Sequence, residues 1–257
     1  MNLLSQGIKD FFNEAGETAR FSGRFFREVL FPPYEFKEVI KQSYEIGYRS
    51  LPLVGITAFI IGLVITLQSR PTLVEFGAEA WLPKMIGLSL IREIGPVITA
   101  LICAGKVGSS IGAELGSMKV TEQIDAMEVS GTNPFKYIVV TRIISTTLMI
   151  PVLVILGDAI ALYGSYLAVK INGSVSLTLY FKQVFDVLQF SDVIPAFIKS
   201  FFFGFVIGLI GCYKGYHSKK GTEGVGRSAN SAVVVASLLV FIVDLIAVQI
   251  TQFLGFL

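Results

Sequence analysis

The stretch Leu51–Gln68, LPLVGITAFIIGLVITLQ, decides the class of the protein: it is eighteen residues without a charge. Crossing a ~30 Å hydrocarbon core takes about 20 mostly apolar residues in a helix, and this segment reads as such a span. Four more follow it. They run over about Met85 to Ala113, Tyr137 to Val169, Val193 to Tyr213 and Ala229 to Phe253. The second is the least regular, because Arg92, Glu93, Pro96 and Lys106 interrupt it. Pro151 and Asp158 lie inside the third. Composition agrees with lipid as the solvent: 53% of residues are hydrophobic, 16% are charged, and mean hydropathy is +0.69. Soluble domains average ~25% charged residues. Net charge is only +2, too small to suggest a nucleic-acid partner.

Upstream of the first span the pattern changes. Between Leu4 and Leu30 apolar residues recur at Leu4, Ile8, Phe11, Phe12, Ala15, Ala19, Phe25, Phe26 and Val29, while Lys9, Glu14, Glu17, Arg20, Arg24 and Arg27 form a polar face. That spacing predicts an amphipathic helix lying in the membrane interface. A helix packed on cytosolic surfaces would read the same way, and both readings stay open. Pro32 and Pro33 end it, and a second amphipathic stretch, Phe36 to Tyr48, leads into the first span. The division is therefore residues 1–50 as N-terminal helices and 51–257 as a five-span domain. The first thirty residues lack a signal peptide's short apolar core and cleavage site, so insertion is expected from the later spans.

Orientation follows from Lys and Arg near the span ends. The side of the N-terminus would hold Lys37, Lys41, Arg49, Lys106, Lys119, Lys136, Arg142, Lys214, Lys219, Lys220 and Arg227. The other side would hold Arg70, Lys84, Lys170, Lys182 and Lys199. The N-terminus is thus expected in the cytoplasm and the C-terminus outside.

Two places could carry chemistry. The first is Ser117–Pro134, SMKVTEQIDAMEVSGTNP, between spans two and three. Thr121 is placed to cap a short helix, and Glu122 and Asp125 suit its positive end. Glu122, Asp125 and Glu128 recur at i, i+3 and i+6 as an acidic edge, with Gln123 beside them. Ile124 and Met127 form an apolar edge. Such a helix reads as a docking element for a partner groove, or as a solvated connector.

The second place is Ile91–Pro96, IREIGP. An ionised residue at a helix centre costs ~2.5–3.5 kcal/mol on insertion scales, so such residues face a cavity or a partner. Arg92 and Glu93 point about 100° apart and are poorly placed to pair with each other. They either line a polar pocket for a phosphate headgroup or pair with another helix near the boundary. Gly95 and Pro96 would open a kink beside them. Asp158 and Asp244 are isolated intramembrane acids, open to a proton-carrying or a structural role. Gly108 with Gly112, and Gly204 with Gly208, have the small-residue spacing of close helix contacts.

Several functions are excluded. There is no GxxxxGK[ST] phosphate loop, so no ATP site of that kind. His217 is the single histidine, and no cluster has metal-ligand spacing. Cys103 and Cys212 sit in apolar runs and read as buried thiols.

The chain also resembles a known family. YEIGYRSLPLVGITAFIIGLVITLQ, LIREIGPVITALICAGKVGSSIGAELGSMKVTEQIDAMEVSGTNP, PFKYIVVTRIIS and GVGRSAN are similar to the MlaE-type permeases. These are membrane subunits of ABC transporters that work with MCE-domain proteins. The resemblance implies an all-α homodimer with an interfacial N-terminal helix and five spans, set in the bacterial inner membrane. It implies cytosolic ATPase partners that use the ATP, with no cofactor on this chain, and a periplasmic MCE partner. Phospholipid or a related hydrophobic molecule would be the substrate. The coupling link would span about 114–134 with its helix on Glu122 to Val129, and the charged pair at the lipid cavity would be Arg92 and Glu93. The chain departs from the family in the outer loop Asn172 to Ser191 and in its N-terminal arm. A stand-alone channel or proton-coupled carrier is the reading from a different class.

Overall fold

The structure, a computed structural model, describes residues 2–172, 175–219 and 221–254. Expectations placed on the side chains of Leu4, Ile8 and Phe11, on Lys220 and on Leu257 fall outside the described residues. The elements are α1 (Asn2–Val29), α2 (Phe36–Glu75), α3 (Glu79–Val120), α4 (Gln123–Val129), α5 (Phe135–Ile171), α6 (Leu177–Phe185), α7 (Phe190–Tyr216) and α8 (Thr222–Phe253). Five of them, α2, α3, α5, α7 and α8, are long and apolar enough to cross a membrane. All five sequence-predicted spans are found, each longer than read.

The largest extension is α2. The expected amphipathic stretch Phe36 to Tyr48 is not a separate helix but the first turns of α2, which runs through both Pro52 and Pro71. Proline removes one backbone hydrogen bond, and neighbouring helices in lipid re-satisfy the freed groups, so it does not terminate a span as it would a soluble helix.

α3 is not a uniform helix. It contains π-helical turns at Leu90–Ile94 and Ala104–Gly108, and α5 opens with another at Phe135–Val140. The expected kink at Gly95–Pro96 takes this form. Pro96 has no N–H for the carbonyl four residues back, and the wide turn before it absorbs the mismatch.

Small residues set the helix contacts. A Cβ on Gly62 would strike the Ala161 carbonyl of α5, and one on Gly164 would strike the Phe59 carbonyl of α2, so these helices touch backbone to backbone. Gly204 and Gly208 both face α5 at Thr146 and Ile143, as their spacing predicted. Gly112 lies against Ala229 and Ala232 of α8, whereas Gly108 looks toward Ile207 of α7. Without a hydrophobic force between helices in lipid, this close van der Waals fit is the main source of association.

The helices alternate in direction, so the bundle has two ends. One end carries α1, α4 and the α7–α8 link. α1 buries Phe21 and Phe25 there, with Phe21 edge-on to Phe135 and to Tyr213. The other end carries α6, whose Tyr180 is fully buried and donates to Ser165 Oγ at 2.7 Å. Thr66 Oγ1 donates to the same Ser165 oxygen at 2.6 Å. The chain of hydroxyls ties α2, α5 and α6 together.

Candidate functional site

The first candidate site lies in the half of the bundle whose end carries α6. Arg92 and Glu93 sit in the π turn of α3 and do not pair with each other, as their angular offset required. Each reaches a different partner. Arg92 Nε donates to Asp192 Oδ1 at 2.7 Å, and Nη2 contacts the same oxygen. Asp192 is held in turn by the first turn of α7, where the Gln189 backbone N–H donates to Asp192 Oδ2 at 2.8 Å in a capping box. Glu93 accepts from Lys199 Nζ at 2.6 Å, and the same ammonium donates to Asp244 Oδ1 at 2.9 Å. Three spans, α3, α7 and α8, are therefore joined by an ion network of two clusters that start from adjacent residues of α3.

Its burial is uneven. The side chains of Asp192 and Lys199 are 1% and 5% exposed, while Arg92 and Glu93 are 30% and 43% exposed. The inner members are locked and the outer members face a cleft. A guanidinium carries five N–H donors. Asp192 occupies those on Nε and Nη2, so Arg92 retains donors for a second acceptor. Ser191, Pro195, Ala196, Ala247, Val248 and Thr251 also line the cleft, which offers a water-sized molecule ≈ 20 Å³. That is room for about one water, not for an acyl chain. Any larger ligand would have to extend into the open side, along α8.

Asp244 is thus not isolated, as the sequence had suggested; its partner is Lys199. Asp158 Oδ1 is buried and has no hydrogen-bond partner among the described residues. Sequence reasoning did not select Lys199 or Asp192 as site residues. Lys199 carried the same signal as Arg92, an ionisable group inside an apolar run. Asp192 looked like an ordinary loop residue, because nothing local reveals a partner 100 residues away.

The second candidate site is the link at the opposite end. The short helix exists, at Gln123–Val129, but its cap differs from the reading. Thr121 does not cap it: its hydroxyl donates back to Ser117 O at 2.9 Å and closes α3. Glu122 stands at the N-cap with φ of 59°, a left-handed residue that turns the chain. The acidic edge is exposed, with Lys119 holding Asp125 at 2.8 Å. The apolar edge is the larger correction. Ile124 is 1% exposed and Met127 packs on the same core, so this ridge anchors the helix to its own bundle rather than offering it to a partner. Short helices bury their apolar side wherever a core is near, and the sequence could not say whose core it would be. The outward surface is instead Glu122, Gln123, Asp125, Glu128 and Val129, the last 90% exposed.

This link is braced by α1. Asn133 Nδ2 donates to Glu28 Oε2 at 3.2 Å, Lys136 Nζ contacts the Phe31 carbonyl, and the Arg24 guanidinium lies 4.1 Å from the Phe135 ring centre. α1 therefore contacts protein along part of its apolar face.

Comparison with known proteins fits this geometry. The family described as Permease MlaE matches residues 39–250. A probable ABC transporter permease protein of Rickettsia typhi is 41% identical, covering 94% of this chain and 93% of its own. One from Synechocystis is 35% identical over 86% and 84%. The intermembrane phospholipid transport system permease protein MlaE of Haemophilus influenzae is 33% identical over 97% and 96%. With five apolar helices in that order and a match over most of its length, the chain belongs to the MlaE permease family.

Proposed function

We propose that the protein is the membrane subunit of an ATP-driven transporter that moves phospholipid, or a related lipid, between the inner membrane and an MCE-type partner. The observation that carries this reading is the ion network at Arg92, Glu93, Asp192, Lys199 and Asp244, half open to a cleft in an otherwise apolar bundle. A lipid phosphate is an acceptor for the remaining Arg92 donors, and charge-assisted hydrogen bonds are about twice as strong as neutral ones. Glu93 suits the amine of a zwitterionic headgroup. The relatives' names, an ABC transporter permease and a phospholipid transport permease, support the same class.

In this reading the end with α1 and α4 faces the cytoplasm. Glu122, Gln123, Asp125 and Glu128 then meet a separate ATPase, while Ile124 and Met127 transmit its movement into the core they are packed in. The chain itself binds no ATP and no cofactor. α1 lies at the membrane interface with Phe12 and Phe26 outward and Phe21 and Phe25 against the bundle. A homodimer is favoured by α8, where Val234, Leu238, Phe241 and Leu245 form one exposed apolar stripe. Two such clefts facing each other would enclose the space one subunit lacks.

A stand-alone proton carrier fits less well, since Lys199 engages both Glu93 and Asp244. The test is reconstitution. Purified with its ATPase, the protein should move labelled phospholipid only with ATP, and transport by the permease alone would overturn the reading.

A further inference from the structure

One buried cation belongs to neither candidate site. Arg142, near the start of α5, has a side chain 5% exposed, and its Nη2 donates to Glu114 Oε1 of α3 at 2.7 Å. Glu114 is 52% exposed, so the pair joins a locked cation to a half-solvated carboxylate. Among the described residues no other ion pair joins α3 to α5. Both helices are packed on α7 at this level. A Cβ on Gly208 would press on Ile143 of α5, and one on Gly215 on Leu115 and the Gly112 carbonyl of α3. Arg142 ties the two helices to each other directly.

The pair stands at the base of the link. Glu114 lies six residues before the end of α3 and Arg142 seven after the start of α5, each about 10 Å from the link at 1.5 Å per residue. The link itself is tightly turned. Glu122 leads into α4 with φ of 59°, Gly131 leads out with φ of 81°, and the Thr132 N–H returns to the Met127 carbonyl at 3.0 Å. The same guanidinium braces the start of α5. In the π turn Phe135–Val140, the carbonyls of Tyr137 and Ile138 accept from the Thr141 hydroxyl at 2.7 Å and from Arg142 Nη1 at 3.0 Å. Stability alone does not account for the arginine. Its Nε is buried without a hydrogen-bond partner among the described residues, and a buried N–H left unpaired is unfavourable. Apolar side chains of similar volume often hold helices together as well as a buried ion pair, or better.

We propose that Arg142 and Glu114 are positioning residues for the link: they close α3, α4 and α5 into one ring, so that a displacement of α4 moves both spans together. Between Glu114 and the charged cleft, α3 passes through the π turn Ala104–Gly108, and helices bend at such turns. A push delivered to α3 alone would be absorbed there, whereas one shared with α5 is carried past it. The inference rests on the reading that an ATPase docks on α4, and it adds the residues that pass the motion on.

The test uses the permease assembled with its ATPase in phospholipid vesicles. ATP hydrolysed and labelled phospholipid moved are measured on the same preparation. Arg142→Met removes the tie and leaves only the half-solvated Glu114 unpaired. Its complex should be recovered in full and melt close to the unsubstituted one, while lipid moved per ATP falls about tenfold. Glu114→Gln keeps an acceptor for Arg142 and should lower the ratio about threefold, a readout that stands even if Arg142→Met fails to assemble. The ratio does not depend on how much of a variant folds, since a lower yield reduces both rates alike. An unchanged ratio, including one in which the two rates fall in proportion, would overturn the proposal and leave the pair a structural contact. Failure of the docking reading looks different. The unsubstituted permease would then recover no ATPase or move lipid without ATP, and the inference would fall with it.

Discussion

The two ends of the bundle handle charge in opposite ways. In the half that carries α6, Asp192 and Lys199 are buried and each is held by a partner on another span, so charge there is part of the tertiary structure. At the other end, Glu122, Asp125 and Glu128 project from a short helix that is held by its apolar side, through Ile124. The same residue types therefore fix the fold in one region and leave a surface free in the other. The difference implies that substitutions in the first should be felt as loss of stability, and in the second as loss of a partner.

The largest effect is expected at Lys199. Lys199→Met leaves Glu93 and Asp244 facing each other without a cation. Breaking a fully buried pair from one side costs about 3–5 kcal/mol, and solvent at the half-exposed Glu93 brings the expected loss below that range. The detergent-solubilised protein should melt well below the unsubstituted chain, and Glu93→Gln with Asp244→Asn should restore much of the loss. An unchanged melting temperature in the single variant would show that the network contributes nothing to the fold.

Arg92 behaves similarly, because removing it strands the buried Asp192 carboxylate. Arg92→Ala alone should lower stability, whereas Arg92→Ala with Asp192→Ala should recover part of it, less the lost cap at Gln189, but not lipid binding. That pair of variants separates a structural arginine from one that holds a headgroup. At the opposite end Ile124→Ala should cost about 2–5 kcal/mol, the usual range for truncating a buried aliphatic side chain. A loss under half a kcal/mol would mean that the apolar edge is not anchored as described.

The smallest stability effect is expected from Glu122→Lys with Glu128→Lys. Exposed substitutions stay within about ±0.5 kcal/mol, yet reversing charge on a docking surface penalises the wrong pairing. Melting should be unchanged while recovery of the ATPase in pull-down falls. Full recovery would exclude this edge as the coupling surface.

Much of the fold was legible because a bilayer imposes one rule: a span must be long, apolar and helical. Leu51–Gln68 could hardly be anything else. The parts that were not legible share a cause, which is dependence on distant residues. Arg92 announced itself as a costly charge, but Asp192 became interpretable only when α7 was packed beside α3. Asp244 looked isolated until Lys199 was found between it and Glu93. Thr121 was the reasonable cap by local chemistry, and Glu122 takes that position because the Thr121 hydroxyl is engaged in closing α3 at Ser117. Ile124 and Met127 were correctly read as an apolar edge, yet the sequence carries no marker of whether such an edge faces inward or outward. Pro52 was a plausible break in water and proved compatible with a continuous helix in a lipid-embedded bundle.

The claim that the charged cleft is where lipid is handled is tested most directly at position 93, the most exposed member of the network. A photoreactive residue there, in the protein assembled with its ATPase and reconstituted in phospholipid, should give a phospholipid adduct that diminishes in the Arg92→Ala, Asp192→Ala variant. Capture of protein alone, with transport unaffected in that variant, would contradict the account and leave the ion network a purely structural clamp.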